Sequence, residues 1–417
     1  MKGFFTLLLW LGFSAGLFAA QILVPMDQTQ RNHLKAYGIA YYVLTHEVEV
    51  GWLLNYRGGS FLFEHHAAFE EELVVRGVSY HIIADVQAAA ILSEIGDPDV
   101  NMDEIRLHKV PRIAVYSPPN SLPWDDAVTL ALTHAEIPYD VVYDEEVLSG
   151  VLPLYDWLHL HHEDFTGQFG KFWFAYRNHD WYLEEVRLAR ETARRLGYSK
   201  VSHLKLDVAR KIRDFVAGGG YMFAMCSAPE SIDLALAAEG VDILHEVYDG
   251  DPVESNAQAR LDFNRTFAFH NFRVITDPTI YEKSDIDVPK TGRDQRTDLF
   301  TLFEFSAKWD PVPTMLTQNH ESVVKGFMGQ TTAFRHEVIK PSVTILGENR
   351  GKQEARYIHG TMGNGTFTFL GGHDPEDYRH FVGDPPTDLN LFPNSPGYRL
   401  ILNNVLFPAA RKQPRKT

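Results

Sequence analysis

Cys226 is the single cysteine of this chain, and its surroundings would suit a nucleophile. It follows Gly218-Gly219-Gly220-Tyr221-Met222-Phe223-Ala224-Met225 and precedes Ser227-Ala228-Pro229-Glu230-Ser231. Read physically, this is a glycine turn, a short buried strand, a sharp bend and a helix start. A thiol at such a bend points out of the sheet toward a helix N-terminus, where the dipole favours the thiolate. A second group suited to chemistry stands far along the chain. The alternating run Thr366-Phe367-Thr368-Phe369-Leu370 ends in Gly371-Gly372-His373-Asp374-Pro375-Glu376. A histidine beside a thiolate acts as general base and then as acid, and a carboxylate can orient its ring.

The densest set of ligand-type side chains is His159, His161, His162, Glu163 and Asp164. On a strand, His159 and His161 share one face and His162 takes the other. The spacing matches no recognised metal motif, so no metal is assigned, and the segment is expected to line the same cleft as the cysteine. A metal site drawing on His161 or His162, Glu163 or Asp164, and His373 is the alternative. Asp125 and Asp126 read as first-turn carboxylates of a helix, favoured by its dipole. The aromatic and polar run Tyr176 to Tyr182 reads as a loop before a helix, with carbohydrate or peptide contact as the alternative. Asn55 to Ser60 reads as a tight turn; no Lys-Ser/Thr follows its Gly58-Gly59 pair, so it is not a P-loop.

These groups need elements to hold them. From residue 21 to about 110, strand and helix patterns alternate, which predicts a small N-terminal α/β unit. From residue 111 to about 408 the same alternation recurs, with strands at 111–116, 139–143, 157–161 and 221–225 and a further one at 241–244. Helices are expected at 124–135, 181–196, 208–217 and 231–239. Strand, helix and strand in repetition predict a three-layer α/β fold, a doubly wound, mostly parallel, flavodoxin-like sheet. Ligands of such sheets sit beyond the carboxyl ends of the strands, which would gather Ser117, the His161 to Asp164 loop and Cys226. An irregular insertion is expected at about 255–340. Asn364-Gly365 between two alternating runs predicts a hairpin near the C-terminus. A closing helix at 397–406 and a basic tail at 409–417 follow.

The first twenty residues carry Lys2, an apolar stretch and the small residues Ala15-Gly16 and Ala19-Ala20. That is the pattern of a secretory signal peptide with cleavage near Ala19 or Ala20, so an exported protein, periplasmic or extracellular, is expected. No later run is long and apolar enough for a membrane span. With 45% hydrophobic and 23% charged residues, the composition is that of a globular protein with a sizeable core. A formal net charge of -16 disfavours nucleic acid and anionic membranes as partners. One cysteine cannot form a disulfide within the chain, so stability rests on the core.

The Cys226 bend and the His373 loop together resemble the class I glutamine amidotransferase-like superfamily. The resemblance covers roughly residues 110–250 and 340–408 and is carried by Gly218 to Ser231 and Gly365 to Glu376. It implies an amidotransferase-like fold, Cys226 as nucleophile and His373 as base. The implied carboxylate two residues after the histidine meets Pro375, which leaves Asp374 or Glu376 for that role. Ser227 is implied as the backbone oxyanion donor, with a second donor near Gly167. Ala224 and Ala228 stand where flanking glycines would be, so a glutamine pocket is not implied. The chain as a whole also resembles exported bacterial proteins labelled asparagine synthetase B. Asparagine synthesis of that kind needs an N-terminal cysteine and a Ser-Gly-Gly-x-Asp-Ser phosphate loop, both absent here.

The expected activity is Cys-dependent hydrolysis of an amide or peptide bond in a small-molecule, peptide or glycan ligand, with no cofactor. The alternatives are a non-catalytic binding module that keeps the fold, and a metal-dependent hydrolase.

Overall fold

The computed structural model describes residues 20–410 apart from 121–122, 289 and 311. The expected signal peptide and most of the expected basic tail lie outside the described residues. The strands are β1 (Ala20–Val24), β2 (Val50–Leu54), β3 (Ser60–Glu64), β4 (His81–Ala84), β5 (Asp103–Leu107), β6 (Ile113–Tyr116), β7 (Asp140–Val142) and β8 (Trp157–Leu160). They continue as β9 (Tyr221–Met225), β10 (Leu299–Leu302), β11 (Val323–Lys325), β12 (Phe334–Arg335), β13 (Thr344–Asn349), β14 (Glu354–Met362) and β15 (Gly365–Leu370). The first five form one sheet in the order β4-β1-β3-β2-β5, antiparallel throughout. The other ten form a second sheet, β11-β10-β13-β14-β15-β9-β8-β6-β7, with β12 added on β14.

This corrects the expected doubly wound, flavodoxin-like and amidotransferase-like sheet. Among the described residues, nine of the thirteen pairings between strands are antiparallel and four are parallel. The parallel pairings are confined to the strip β7-β6-β8-β9-β15. Parallel strands need a long crossover, and the chain supplies helical ones only up to β9. Beyond it come hairpins and long loops. The clearest is β14–β15, where Met362 faces Gly365 across a two-residue turn and Gly363 takes φ 59°. The expected strand at 241–244 does not form, and β5 was not anticipated. The small N-terminal sheet follows the same logic: β2 and β3 are joined by a short turn and pair antiparallel.

Within the parallel strip β6, β8, β9 and β15 are buried on both faces, as their near-continuous apolar sequences require, while β7 is an exposed edge. Alternate residues feed two cores. Val115, Trp157, Phe223 and Met225 point to one, Ala114, Tyr116, Leu158, Met222 and Ala224 to the other. The first core also holds the helices His33–Thr45, Ala127–Ala135 and Pro396–Leu406 and one face of the small sheet. The second holds the helices Val201–Gly218 and Ala228–Ala237, with Tyr182 and Ala193 of Asp180–Arg195. The helix Asp85–Gly96 covers the outer face of the small sheet. No helix among the described residues is long and apolar enough to cross a membrane.

Candidate active site

Four strands of the parallel strip deliver their carboxyl ends to one place, where the strand order reverses about β6. After β6 the chain brings Asp125 and Asp126, the latter capping the helix Ala127–Ala135 by accepting from the N–H groups of Val128 and Thr129. After β8 come His161 and His162, after β9 Cys226, and after β15 His373.

Cys226 is a non-glycine residue at φ 52°, in the left-handed region, and only 4% exposed. That conformation costs on the order of 1–3 kcal/mol and persists only where neighbours hold it. They do so here on both sides. The Cys226 N–H donates to the Gly372 carbonyl at 3.0 Å, and the Ala228 N–H to the His161 carbonyl at 2.9 Å. The Gln330 N–H donates to the Cys226 Sγ at 3.3 Å. Gln330 is held by its own side chain, whose amide donates to the Gly170 carbonyl. The loop that carries it is laced to the His373 loop, His373 N–H to Met328 carbonyl at 3.1 Å and Gly372 N–H to Thr331 carbonyl at 2.9 Å. The two loops approach so closely that a Cβ on Gly329 would lie 2.7 Å from the His373 backbone.

The Sγ of Cys226 and one ring nitrogen each of His161 and His373 lie within 4.8 Å of one another. The His373 Nε2 is 3.6 Å from Asp125 Oδ1, and the His380 Nε2 is 3.2 Å from the same oxygen. His373 and His380 stack at 4.1 Å, and His380 Nδ1 reaches Asp377 at 3.0 Å. On the other side, Asp126 faces both His159 Nε2 at 3.1 Å and His161 Nδ1 at 3.2 Å.

Burial is the largest influence on the Cys226 thiol and pushes it up. The His373 hydrogen bond and charge, the Gln330 N–H and the Lys290 charge together outweigh it, and the pKa lies below the usual thiol value. Asp125 is likewise pushed up by burial and brought below the ordinary carboxylate value by His373 and His380. Burial, then the neighbouring His161 and His373, holds His162 well below its ordinary value and therefore neutral. The thiol opens on a cavity of about 410 Å³ lined by Trp124, Phe172, Tyr281, Lys290, Gln330 and His380 among others.

The sequence-derived candidates divide. Cys226, His373, His161 and His162 meet at the site. Ser227 is next to Cys226, fully buried, with its hydroxyl unpartnered. Asp374 does not face His373: it is buried and accepts from the Tyr398 hydroxyl at 2.7 Å and from the N–H groups of Glu376 and Asp377. Glu376 bonds Ser395 and lines a separate cleft with Arg293 and Arg379. The carboxylate that reaches His373 is Asp125. Gly167, Glu163 and Asp164 line a neighbouring cavity and not the one that holds the thiol. Sequence reading missed Gln330, Lys290 and Tyr281, which come from the segment expected to be an irregular insertion, and His380. The signal for His380 was its place seven residues after His373, on the same loop.

No protein-family model matches the chain, and no curated protein matches it. Among solved structures it is similar to two cytoplasmic proteins of Salmonella. STM3548 of Salmonella typhimurium has 10% identity and a TM-score of 0.34 over 72% of this chain and 100% of that one. STM1381 of Salmonella typhimurium LT2 has 12% identity and a TM-score of 0.37 over the same shares. It is also similar to part of a beta-galactosidase from Bacillus circulans sp. alkalophilus, at 12% identity and a TM-score of 0.27, over 64% of this chain and 29% of that one. At such values none of these likenesses bears on the activity of this chain.

Proposed function

We propose that this chain is an exported Cys-dependent hydrolase that cleaves an amide or related carbonyl bond through Cys226. The observation that carries this is the thiol itself. It is held in the left-handed region at a strand-to-helix bend, beside two histidine rings, with its pKa lowered in spite of burial. His373 takes the thiol proton and Asp125 stabilises the resulting imidazolium. The thiolate forms a bond to the carbonyl carbon, and the C–N bond breaks as His373 returns the proton to the leaving amine. Water then attacks the thioester, giving its proton to His373; the acid departs and the thiolate is restored. The Gln330 N–H faces the sulfur and favours its charged form.

The test is hydrolysis of a panel of amide, peptide and ester substrates. Cys226→Ser and Cys226→Ala are expected to lose at least about 10³-fold in rate, and Asp125→Asn about 10²-fold or more. Wild-type rates in Cys226→Ala would end the covalent mechanism. Native iodoacetamide labelling is expected to titrate below the free-thiol value of ~8.5 and to move up in His373→Ala.

One observation supports a second reading, a metal-dependent hydrolase. Both Asp125 oxygens and the Nε2 atoms of His373 and His380 are buried without hydrogen-bond partners. Their separations of 3.2 and 3.6 Å are close to the ~3.4 Å between ligands about 2.1 Å from a tetrahedral zinc ion. Two histidines and one carboxylate would hold the ion and leave a position open to water. Stoichiometric zinc in purified protein, lost in His380→Ala and kept in Cys226→Ala, would transfer the chemistry to the metal. Metal-free, active protein would remove this reading.

A further inference from the structure

A second cavity, of about 290 Å³, shares Trp124, His162 and Phe172 with the cavity of Cys226. Its charged groups do not balance. Lys205 is spent on Asp144, whose two oxygens it meets at 2.8 and 3.0 Å, and it also donates to the hydroxyls of Tyr116 and Tyr143. Arg195 pairs with Glu145. Asp164 is satisfied by the N–H groups of Thr166 and Gly170 and by the Thr166 hydroxyl, and Glu146 by the Tyr143 N–H. Glu163 and Glu185 remain. Glu163 is 7% exposed, and each has an Oε2 that is buried with no hydrogen-bond partner. They come from different elements, the loop after β8 and the helix Asp180–Arg195, and both line this one space. Trp124, Phe169 and Phe172 line the same space. Two carboxyl groups with no ion-pair partner, in a space also lined by aromatic rings, describe the complement of a cation on an apolar stem.

We propose that this cavity binds an organic cation, a short chain ending in a primary ammonium or guanidinium group, seated between Glu163 and Glu185. In the unliganded protein burial, joined by Asp126, Glu185 and Asp144 and opposed by Lys205, holds Glu163 well above the ordinary carboxylate value. Burial and Asp164, again opposed by Lys205, push Glu185 up to about 7. Glu185 is therefore partly protonated near neutrality, and a cation that enters displaces that proton. The site does not require Cys226 to react. Taken with the proposed hydrolysis, it would place a basic arm of the substrate beside the bond that is cut.

The experiment is calorimetric titration of the full chain with n-butylammonium chloride and with 1-butanol, at pH 6, 7 and 8, in two buffers of different ionisation enthalpy. Saturable binding of butylammonium with proton release is expected. A group titrating near 7 is about one-tenth ionised at pH 6 and nine-tenths at pH 8, so affinity should rise about tenfold between them. Glu185→Gln, at a partly exposed position, should weaken binding at least about tenfold with an unchanged thermal midpoint; Glu163→Gln tests the buried partner. Cys226→Ala should bind as the wild type does, which separates this result from the fate of the thiol mechanism. Absence of saturable binding, equal binding of 1-butanol, or binding unaltered by Glu185→Gln would each overturn the proposal. So would methyl glucoside binding in preference to the cation, which would mark a site for neutral sugars.

Discussion

At Asp126 one carboxylate does two jobs. It caps the helix Ala127–Ala135 and it faces two buried histidines, His159 and His161. Burial raises its pKa, but the histidine charges and hydrogen bonds win and hold it well below the ordinary 3.8. A lowered folded-state value means that the group favours folding above its unfolded pKa. That contribution is lost as pH falls from about 4 through the folded value. Asp126→Asn is therefore expected to lower stability at pH 7 and to flatten the fall in stability below about pH 4, read by urea unfolding between pH 3 and 7. Asparagine caps a helix about as well as aspartate, so the cap is kept and the change reads the charge that faces the two histidines. In sequence, Asp125 and Asp126 looked alike, two acids in the first turn of a helix. The fold separates them: Asp126 turns into the cap, and Asp125 turns toward His373 and His380. Nothing local to the pair encodes that difference, because both partners of Asp125 arrive some 250 residues later on the β15 loop.

At the scale of elements, two helices meet where only glycine fits. A Cβ on Gly38, within the helix His33–Thr45, would lie 1.8 Å from the Ala135 carbonyl at the end of the helix Ala127–Ala135. Ala135 belongs to the helix that Asp126 starts, so this crossing fixes the element that carries both acids. Gly38→Ala is expected to cost at least about 1–3 kcal/mol, and to lower activity through the position of Asp125. Gly218→Ala is the control. It too is helical, but an added Cβ meets nothing within 4 Å, and a change of about 0.4–1 kcal/mol toward stability is expected. Thermal and urea unfolding of both variants checks the pair. Most helices were legible because their apolar spacing and caps are local. The sheet was less so: alternating strands and helices describe the chain up to β9, whereas the antiparallel half depends on pairings between distant segments such as β10 with β13.

For the whole molecule, the two sheets share one core. Ile22, Trp52 and Phe61 of the small sheet, Val115 and Phe223 of the large one, and Tyr398 of the last helix belong to the same buried cluster. Arg399, fully buried, ties the ends of the chain together. Its guanidinium donates to Met26 carbonyl at 3.0 Å, to the Tyr37 hydroxyl at 3.0 Å and to the Gly58 carbonyl. Unfolding is expected to be a single transition seen alike by tryptophan fluorescence and circular dichroism. Arg399→Met should lower its midpoint while keeping one transition, with a loss of at least about 1.5–3 kcal/mol, the worth of a hydrogen bond to a charged group. Two separate transitions in the wild type would show that the sheets fold independently.

The sequence by itself determined the local facts: a lone cysteine at a strand-to-helix bend, a histidine closing a late strand, a histidine-rich loop, and the helices that carry them. Each is written in contiguous residues, through period, caps and turns. Only the tertiary structure decided which carboxylate lies beside His373, that Gln330 and Lys290 lie near the thiol, and that most of the sheet runs antiparallel. Those outcomes rest on contacts between segments tens to hundreds of residues apart, for which no single stretch of chain carries the information.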